Sequence, residues 1–200
     1  MSTIAVLGNG RVGGNLAAAL TRAGHEVTVA DRTPGAAADA DAARRARIVI
    51  NATPGAGSLE RLAALRDELR STVLVDVSNA TTDGPDGLPA DLLYPGSSLA
   101  ERLQEALPDT HVVKTLNTML FPVMTDPAAL DRAPTAFLSG EAPRAKQTVR
   151  ELLTDLGWYN EWITDLGGIR TARATEAAIL FVPHVIRSSG FVPFAISIAR

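Results

Sequence analysis

The fold is decided close to the amino terminus, by the stretch Thr3-Ile4-Ala5-Val6-Leu7-Gly8-Asn9-Gly10-Arg11-Val12-Gly13. It opens with a short apolar run, typical of a strand covered on both faces, and apolar residues then recur at helical spacing. In the G-x-G-x-x-G spacing between them, Gly8 allows a tight turn, Gly10 lets the backbone approach a pyrophosphate, and Gly13 permits close helix–strand packing. The pattern therefore predicts a dinucleotide phosphate loop at the start of a helix. The predicted cofactor-binding residues of this loop are Gly8, Asn9, Gly10, Arg11, Val12 and Gly13.

A second set of predicted cofactor-binding residues stands at the end of the next apolar run. Asp31 comes 18 residues after Gly13, close to the spacing of about 20 at which an acid binds the ribose. Its carboxylate would accept a hydrogen bond from a ribose 2′-hydroxyl, which favours NAD(H). Arg32 beside it could hold a 2′-phosphate and Thr33 adds a hydroxyl, which favours NADP(H). The residues alone leave both cofactors open.

The remaining chain alternates strand-like apolar runs with helical patterns. The strand-like runs are residues 26–31, 47–52, 72–77, 111–116 and 135–138. Such alternation predicts an α/β fold of the Rossmann type, with a doubly wound parallel sheet and helices on both faces. Residues 80–96, rich in proline and glycine, are predicted to form a long surface loop.

Two parts of the chain are expected from the change of pattern after residue 163. Residues 1–163 are predicted to form the dinucleotide-binding domain, and residues 164–200 a small helical extension. The apolar tail at residues 191–198 carries little polar surface, so we expect it to close a pocket or pack on a partner. A homodimer would bury such a surface, since two-fold pairing is the commonest solution.

Polar residues follow three of the predicted strands where ligands of open α/β sheets bind. These residues are Thr53 after the third strand, Asn79 after the fourth, and Asn117, Thr118 and Met119 after the fifth. Their side chains are of the kind that can hold a nicotinamide amide or a second substrate. Loop capping is the alternative role for each, because Asn and Thr favour turns.

Composition narrows the functional classes further. The 200 residues include no cysteine and carry a formal net charge of −3, which gives no electrostatic reason to bind nucleic acid or an anionic membrane. No His/Asp/Glu set has metal-ligand spacing, and no Ser–His–Asp pattern is present, so we expect neither a metal site nor a catalytic side chain. The sequence also lacks a signal-peptide pattern and an apolar stretch of membrane-spanning length, so a cytoplasmic protein is expected.

Several of these motifs occur together in one known family. The matching segments are residues 4–14, 23–27, 76–79, 112–118 and 166–168, together with Arg173 and Glu176. In them the chain resembles the NADPH-dependent reductases of the deazaflavin coenzyme F420 and their dinucleotide-binding relatives. The resemblance implies a Rossmann domain with a small C-terminal helical part, assembled as a homodimer. It also implies direct hydride transfer between nicotinamide and deazaflavin without an obligatory catalytic side chain.

The resemblance extends to individual site residues. It implies that residues 8–13 hold the phosphates, and that Asp31 and Arg32 select at the adenosine end, with NADP(H) favoured over NAD(H). The residues that it places around the nicotinamide and its hydride acceptor are Thr53, Asn79, Asn117, Thr118 and Met119.

Three departures from the family pattern keep alternatives open. Asn9 stands where the family commonly has Thr or Ala, and Asp31 where it commonly has a small hydroxyl residue. The segment Met119-Leu120-Phe121-Pro122 is bulkier than the family's small-residue segment. The alternatives are an NAD(P)H-dependent reductase of another small acceptor, such as a flavin or an imine, and a nucleotide-binding sensor without turnover.

Overall fold

The computed structural model describes residues 1–30 and 36–199. The strands are β1 (Thr3–Leu7), β2 (Glu26–Ala30), β3 (Ile48–Asn51), β4 (Val73–Asp76), β5 (Thr81–Asp83), β6 (Pro89–Leu92), β7 (His111–Lys114), β8 (Ala136–Ser139) and β9 (Ile163–Gly167). The helices are α1 (Arg11–Arg22), α2 (Ala36–Arg45), α3 (Gly55–Ala63), α4 (Leu99–Ala106), α5 (Phe121–Thr125), α6 (Pro143–Asp155), α7 (Ala172–Ala177) and α8 (Val182–Ser189). None of the helices described is long and apolar enough to cross a membrane.

Seven strands form one sheet in the order β2-β1-β3-β4-β7-β8-β9. This arrangement, with helices on both faces, confirms the predicted α/β Rossmann-type fold with C-terminal helices. The sheet is not wholly parallel, however, because β8 pairs with β7 in antiparallel fashion. A parallel connection needs a crossover that returns along the sheet, and the segment between these strands holds only the five-residue α5 and a shorter 3-10 turn.

Strand β1 explains the apolar run that opens the chain. Ile4 and Val6 belong to a core cluster that includes residues of α1 and α6, whereas Ala5 and Leu7 belong to a second cluster that includes residues of α2, α3 and α4. Successive side chains of a strand point to opposite faces, so a strand between two cores must be apolar throughout.

The predicted loop at residues 80–96 is instead a small antiparallel hairpin, and that prediction was wrong. Strands β5 and β6 pair through Thr81 opposite Leu92 and Thr82 opposite Asp91. Gly84, Pro85 and Gly87 lie in the turn between the strands, Pro89 begins β6, and the β-branched threonines suit a strand.

The C-terminal tail returns to the carboxyl end of β7. The Leu120 N–H donates to the Phe194 carbonyl at 3.0 Å, and the Ile196 N–H donates to the Thr118 carbonyl at 3.0 Å. The tail therefore packs on its own chain, beside residues predicted to line the binding site. The division at residue 163 stays a prediction; β9, the last strand of the sheet, extends to Gly167.

Candidate dinucleotide-binding site

A cavity of about 430 Å³ opens at the carboxyl ends of β1, β3 and β4 and beside the loop that follows β7. The described residues that line it are Gly8, Asn9, Gly10, Arg11, Val12, Ala52, Thr53, Pro54, Gly55, Arg61, Val77, Ser78, Asn79, Asn117, Met119, Leu120, Phe121 and Met124. This is the edge at which open α/β sheets bind their ligands.

The three glycines of the loop differ in their surroundings. Gly8 has φ +104°, and a Cβ there would lie 2.6 Å from the Ala52 carbonyl oxygen. A Cβ on Gly13 would overlap the Gly8 carbonyl oxygen, whereas a Cβ on Gly10 would meet no atom within 4 Å. The first and third glycines are thus required by the chain itself, while Gly10 faces open space in the cavity.

Helix α1 presents its amino terminus to that space. Its N-cap residue is Gly10, with no side-chain cap, and its first turn carries no acidic residue. The free N–H groups and the positive end of the helix dipole therefore favour an anion, such as the pyrophosphate of a dinucleotide.

Arg11, the first residue of α1, lies close to two aromatic rings. Its guanidinium carbon lies 5.9 Å from the centroid of Phe121 and 5.8 Å from that of Phe191 in the C-terminal tail. Both distances lie within the range of a cation–π contact. The tail is therefore linked to the phosphate loop through one arginine.

A buried polar network supports the loops after β3 and β4. Asn51 Nδ2 contacts Asp76 Oδ1 at 2.9 Å and Ser58 Oγ at 3.1 Å, and Asn51 Oδ1 accepts a hydrogen bond from the Thr53 hydroxyl at 2.6 Å. Ser78 Oγ donates to the same Asp76 oxygen at 2.7 Å. These side chains satisfy one another's hydrogen-bonding capacity. The network therefore fixes the loop backbones and keeps the cavity surface rigid.

Lys114 lies at the centre of this network and is buried. Its Nζ lies 2.8 Å from Asp76 Oδ2 and 2.9 Å from Glu176 Oε1, and it also donates to the Ser78 carbonyl. Burial alone lowers the pKa of Lys114, but the two carboxylates outweigh that effect and raise the pKa above its ordinary value. The charged ammonium thus joins β4, β7 and α7 beneath the cavity.

Two asparagines connect the loops after β4 and β7. Asn79 Nδ2 donates to the Asn117 carbonyl at 3.0 Å, and Asn117 Nδ2 donates to Asn79 Oδ1 at 2.9 Å. Both residues line the cavity. The reciprocal pair holds the wall next to the apolar residues Met119 and Leu120.

The structure brings together most of the residues singled out from the sequence. Those that line the cavity are Gly8, Asn9, Gly10, Arg11, Val12, Thr53, Asn79, Asn117 and Met119. Gly13 packs beneath the loop, and Thr118 is buried with no partner for its hydroxyl among the described residues. Asp31, Arg32 and Thr33 lie outside the described residues.

Other lining residues were not identified from the sequence. Pro54 and Gly55 directly follow the predicted site residue Thr53, so extending that loop by two positions would have found them. Leu120 and Phe121 belong to the bulky segment singled out from the sequence, and they line the cavity beside Met119. Arg61 lies within α3 and gave no local signal. Its Nε and Nη2 donate to both carboxylate oxygens of one side chain in α2, and these hydrogen bonds raise the pKa of the guanidinium.

The buried lysine had a usable signal that was missed. Lys114 ends the run Val112-Val113-Lys114 in a strand expected to be covered on both faces. A buried charge requires a partner, so an acidic residue on a neighbouring strand could have been sought.

Metal sites were not expected, and the described residues contain no group of three or more potential ligands that could hold a metal ion.

Comparisons with known proteins agree with this geometry. The sequence model of one family, the NAD-binding domain of 6-phosphogluconate dehydrogenase, matches residues 3–158. A crystal structure from Arthrobacter sp. FB24, named as a candidate F420-dependent NADP-reductase, is 37% identical with a TM-score of 0.91, over 100% of both chains. This similarity confirms the resemblance inferred from the sequence.

Two further relatives are more distant. The oxidoreductase YfjR of Bacillus subtilis, whose role is uncharacterised, is 29% identical over 90% of this chain, which spans 61% of the Bacillus protein's length. A hypothetical protein of Sinorhizobium meliloti is 28% identical with a TM-score of 0.64, over 86% of this chain and 88% of the other.

Proposed function

The chain belongs to the family of the NAD-binding domain of 6-phosphogluconate dehydrogenase, and on that premise we propose an NADP(H)-dependent oxidoreductase whose second substrate is the deazaflavin F420. The observation that carries the proposal is the open space over Gly10, at the uncapped start of α1 and continuous with an apolar wall. A ligand that fits both the amino terminus of α1 and the apolar wall carries a phosphate group and a flat ring.

The order of the strands supports one direction for the bound dinucleotide. In this topology the pyrophosphate lies at the helix that follows β1, with the adenosine towards β2 and the nicotinamide towards β4. That direction would bring the nicotinamide near Thr53, Asn79 and Asn117, which line the cavity. We propose that Asn9, Val12 and Met119 contact the cofactor from the remaining sides of the cavity.

The apolar wall is the proposed place of the hydride acceptor. It consists of Met119, Leu120, Phe121 and Met124. Flat aromatic rings bind such surfaces by burial of apolar area, with few polar contacts to fix their orientation. An acceptor ring on this wall would lie face to face with the nicotinamide ring, the arrangement that direct hydride transfer requires.

The chemistry of the lining supports an acceptor that needs orientation more than acid catalysis. Among the described lining residues, the ionisable side chains are Arg11 and Arg61. The amides of Asn79 and Asn117 and the hydroxyls of Thr53 and Ser78 are hydrogen-bonded to other protein groups. The reduced nicotinamide supplies a hydride, two electrons with one proton, to the deazaflavin, which takes one further proton from solvent. The residues of this chain contribute by binding and by excluding water.

The proposed preference for NADP(H) requires that the attraction of Arg32 for the 2′-phosphate exceed the repulsion from Asp31. Asp31 disfavours a 2′-phosphate by like charge, whereas Arg32 can form a charge-assisted contact with it. We expect Arg32→Ala to weaken NADPH binding by about 1.5–3 kcal/mol and to leave NADH almost unchanged, with Asp31→Ser improving NADPH. Calorimetric titration of both cofactors tests this. If Arg32→Ala spares NADPH while Asp31→Ser weakens NADH, the protein prefers NAD(H).

A panel of acceptors tests the proposed reaction. The protein is mixed with NADPH and, separately, with oxidised F420, a flavin or a cyclic imine, and the loss of reduced-nicotinamide absorbance is followed. Turnover with F420 supports the proposal. Turnover with a flavin or an imine instead assigns another reductase activity, and tight NADPH binding without turnover favours a sensor.

A further inference from the structure

Arg61 is held in the cavity by a two-point clamp. Its Nε donates to Asp39 Oδ2 at 2.6 Å and its Nη2 to Asp39 Oδ1 at 2.7 Å. Asp39 lies in the first turn of α2 and is only 5% exposed. Because a bidentate pair fixes both the position and the plane of a guanidinium, Arg61 presents a defined flat face to its surroundings.

The pair joins α2 to α3, and α2 is the helix that follows β2, the strand at the adenosine end of a Rossmann dinucleotide site. Asp39 stands on α2, which follows β2, and Arg61 stands on α3, which follows β3. The Asn79–Asn117 pair stands on the opposite side, after β4 and β7. With the pyrophosphate at the start of α1, the adenosine end of a dinucleotide extends towards the clamp.

We propose that the guanidinium of Arg61 stacks on the adenine base, with Asp39 acting as the positioning residue that fixes the orientation of the guanidinium plane. The proposal rests on the dinucleotide binding put forward above and adds the residue that recognises its base. A guanidinium stacks on aromatic rings through its planar face, and that face stays accessible while the edge is bound to a carboxylate.

Charge favours the base over the 2′-phosphate as the group that Arg61 contacts. Asp39 neutralises the guanidinium, and its own carboxylate would repel a phosphate placed beside the pair. An uncharged adenine meets no such repulsion. The contact is therefore common to NADPH and NADH, whichever of them Asp31 and Arg32 select.

The test compares ligands with and without the adenosine half. Dissociation constants of NADPH, NADH and reduced nicotinamide mononucleotide are measured calorimetrically for the wild type, Arg61→Ala and Arg61→Lys. We expect Arg61→Ala to weaken NADPH and NADH by the same factor, about 5–30-fold, and to leave the mononucleotide unchanged. Arg61→Lys, which keeps the charge but not the plane, is expected to lose as much as Arg61→Ala.

A matched control lies on the same part of the chain. Arg66 is exposed and does not line the cavity, so Arg66→Ala is expected to leave all three dissociation constants unchanged. Melting temperatures of the variants show whether the loss of the Asp39 partner has altered the fold.

Three results would overturn the stacking of Arg61 on adenine. If only the affinity for NADPH falls, Arg61 contacts the 2′-phosphate. If the affinity for the mononucleotide falls equally, Arg61 maintains the shape of the whole cavity. If all the dissociation constants are unchanged, Arg61 does not contact the ligand. Normal dinucleotide binding with the expected Arg61 effect, but no reduction of F420, would overturn only the proposed acceptor.

Discussion

Gly10 and Gly13 differ in what an added side chain would meet, and this difference yields a prediction. At Gly10 a Cβ meets open space and φ is −84°, so Gly10→Val is compatible with the fold. We expect this variant to lose measurable NADPH binding, because the branched side chain stands where the pyrophosphate must approach. Its melting temperature should fall by no more than about 4 °C, the effect of a poorer N-cap.

Gly13→Ala is the structural counterpart of that variant. Its Cβ would overlap the Gly8 carbonyl oxygen, so we expect a loss of stability of about 2–4 kcal/mol in urea unfolding. Calorimetry with NADPH and thermal unfolding are run on both variants. Normal NADPH affinity in Gly10→Val would remove the phosphate site from this loop.

At the scale of the elements, the Lys114 ammonium joins β4, β7 and α7. The Glu176 carboxylate on α7 also accepts hydrogen bonds from the N–H groups of Leu99 and Ala100 at the start of α4, at 2.8 and 3.1 Å. Lys114→Met leaves Asp76 and Glu176 buried without their cation, so we expect a loss of about 3–5 kcal/mol in the free energy of unfolding. Urea unfolding followed by the fluorescence of the buried Trp158 measures it.

Lys146→Met provides the control for this prediction. Lys146 pairs with Asp165 at 2.8 Å, and that carboxylate side chain is 40% exposed. Such a pair is worth about 0–1 kcal/mol. Equal losses in the two variants would contradict the role assigned to the buried network.

The phosphate loop could be predicted from the sequence because everything it needs is local. The apolar strand, the glycine spacing and the helix that starts at Arg11 follow one another directly. The carboxyl ends of the strands also identified Thr53, Asn79 and Asn117, since parallel strands end at one edge of a sheet.

Features that depend on contacts between distant segments could not be predicted in the same way. The direction of β8 depends on how the chain turns after β7, and no local pattern sets it. Arg61 is placed in the cavity by a partner on another helix. The segment 191–198 looked unpartnered in the sequence, although main-chain hydrogen bonds attach it beside Thr118.

At the scale of the whole molecule, the C-terminal region presents apolar side chains to solvent. Phe181, Phe191, Val192 and Ile198 are 63%, 58%, 47% and 54% exposed. We propose that a second copy of the chain covers them, and we expect sedimentation velocity at micromolar concentration to give a dimer.

Two single substitutions test where the copies meet. Phe181→Asp is expected to shift the protein towards monomer, because it places a charge in the apolar surface. Tyr159→Asp changes another exposed aromatic residue, 56% accessible, outside that region, and should leave the dimer intact. A wild-type chain that sediments as a stable monomer would remove the proposed interface.

We propose that one cavity brings a nicotinamide and a deazaflavin into direct contact. The most direct measurement uses NADPH in which both hydrogens at the reactive carbon of the nicotinamide are deuterium, with oxidised F420 as acceptor in ordinary water. Mass spectrometry of the reduced F420 should then find one deuterium per ring, because the hydride passes between the rings without meeting solvent. Reduced F420 without deuterium, or bound NADPH that leaves F420 oxidised, would contradict direct transfer between the two rings.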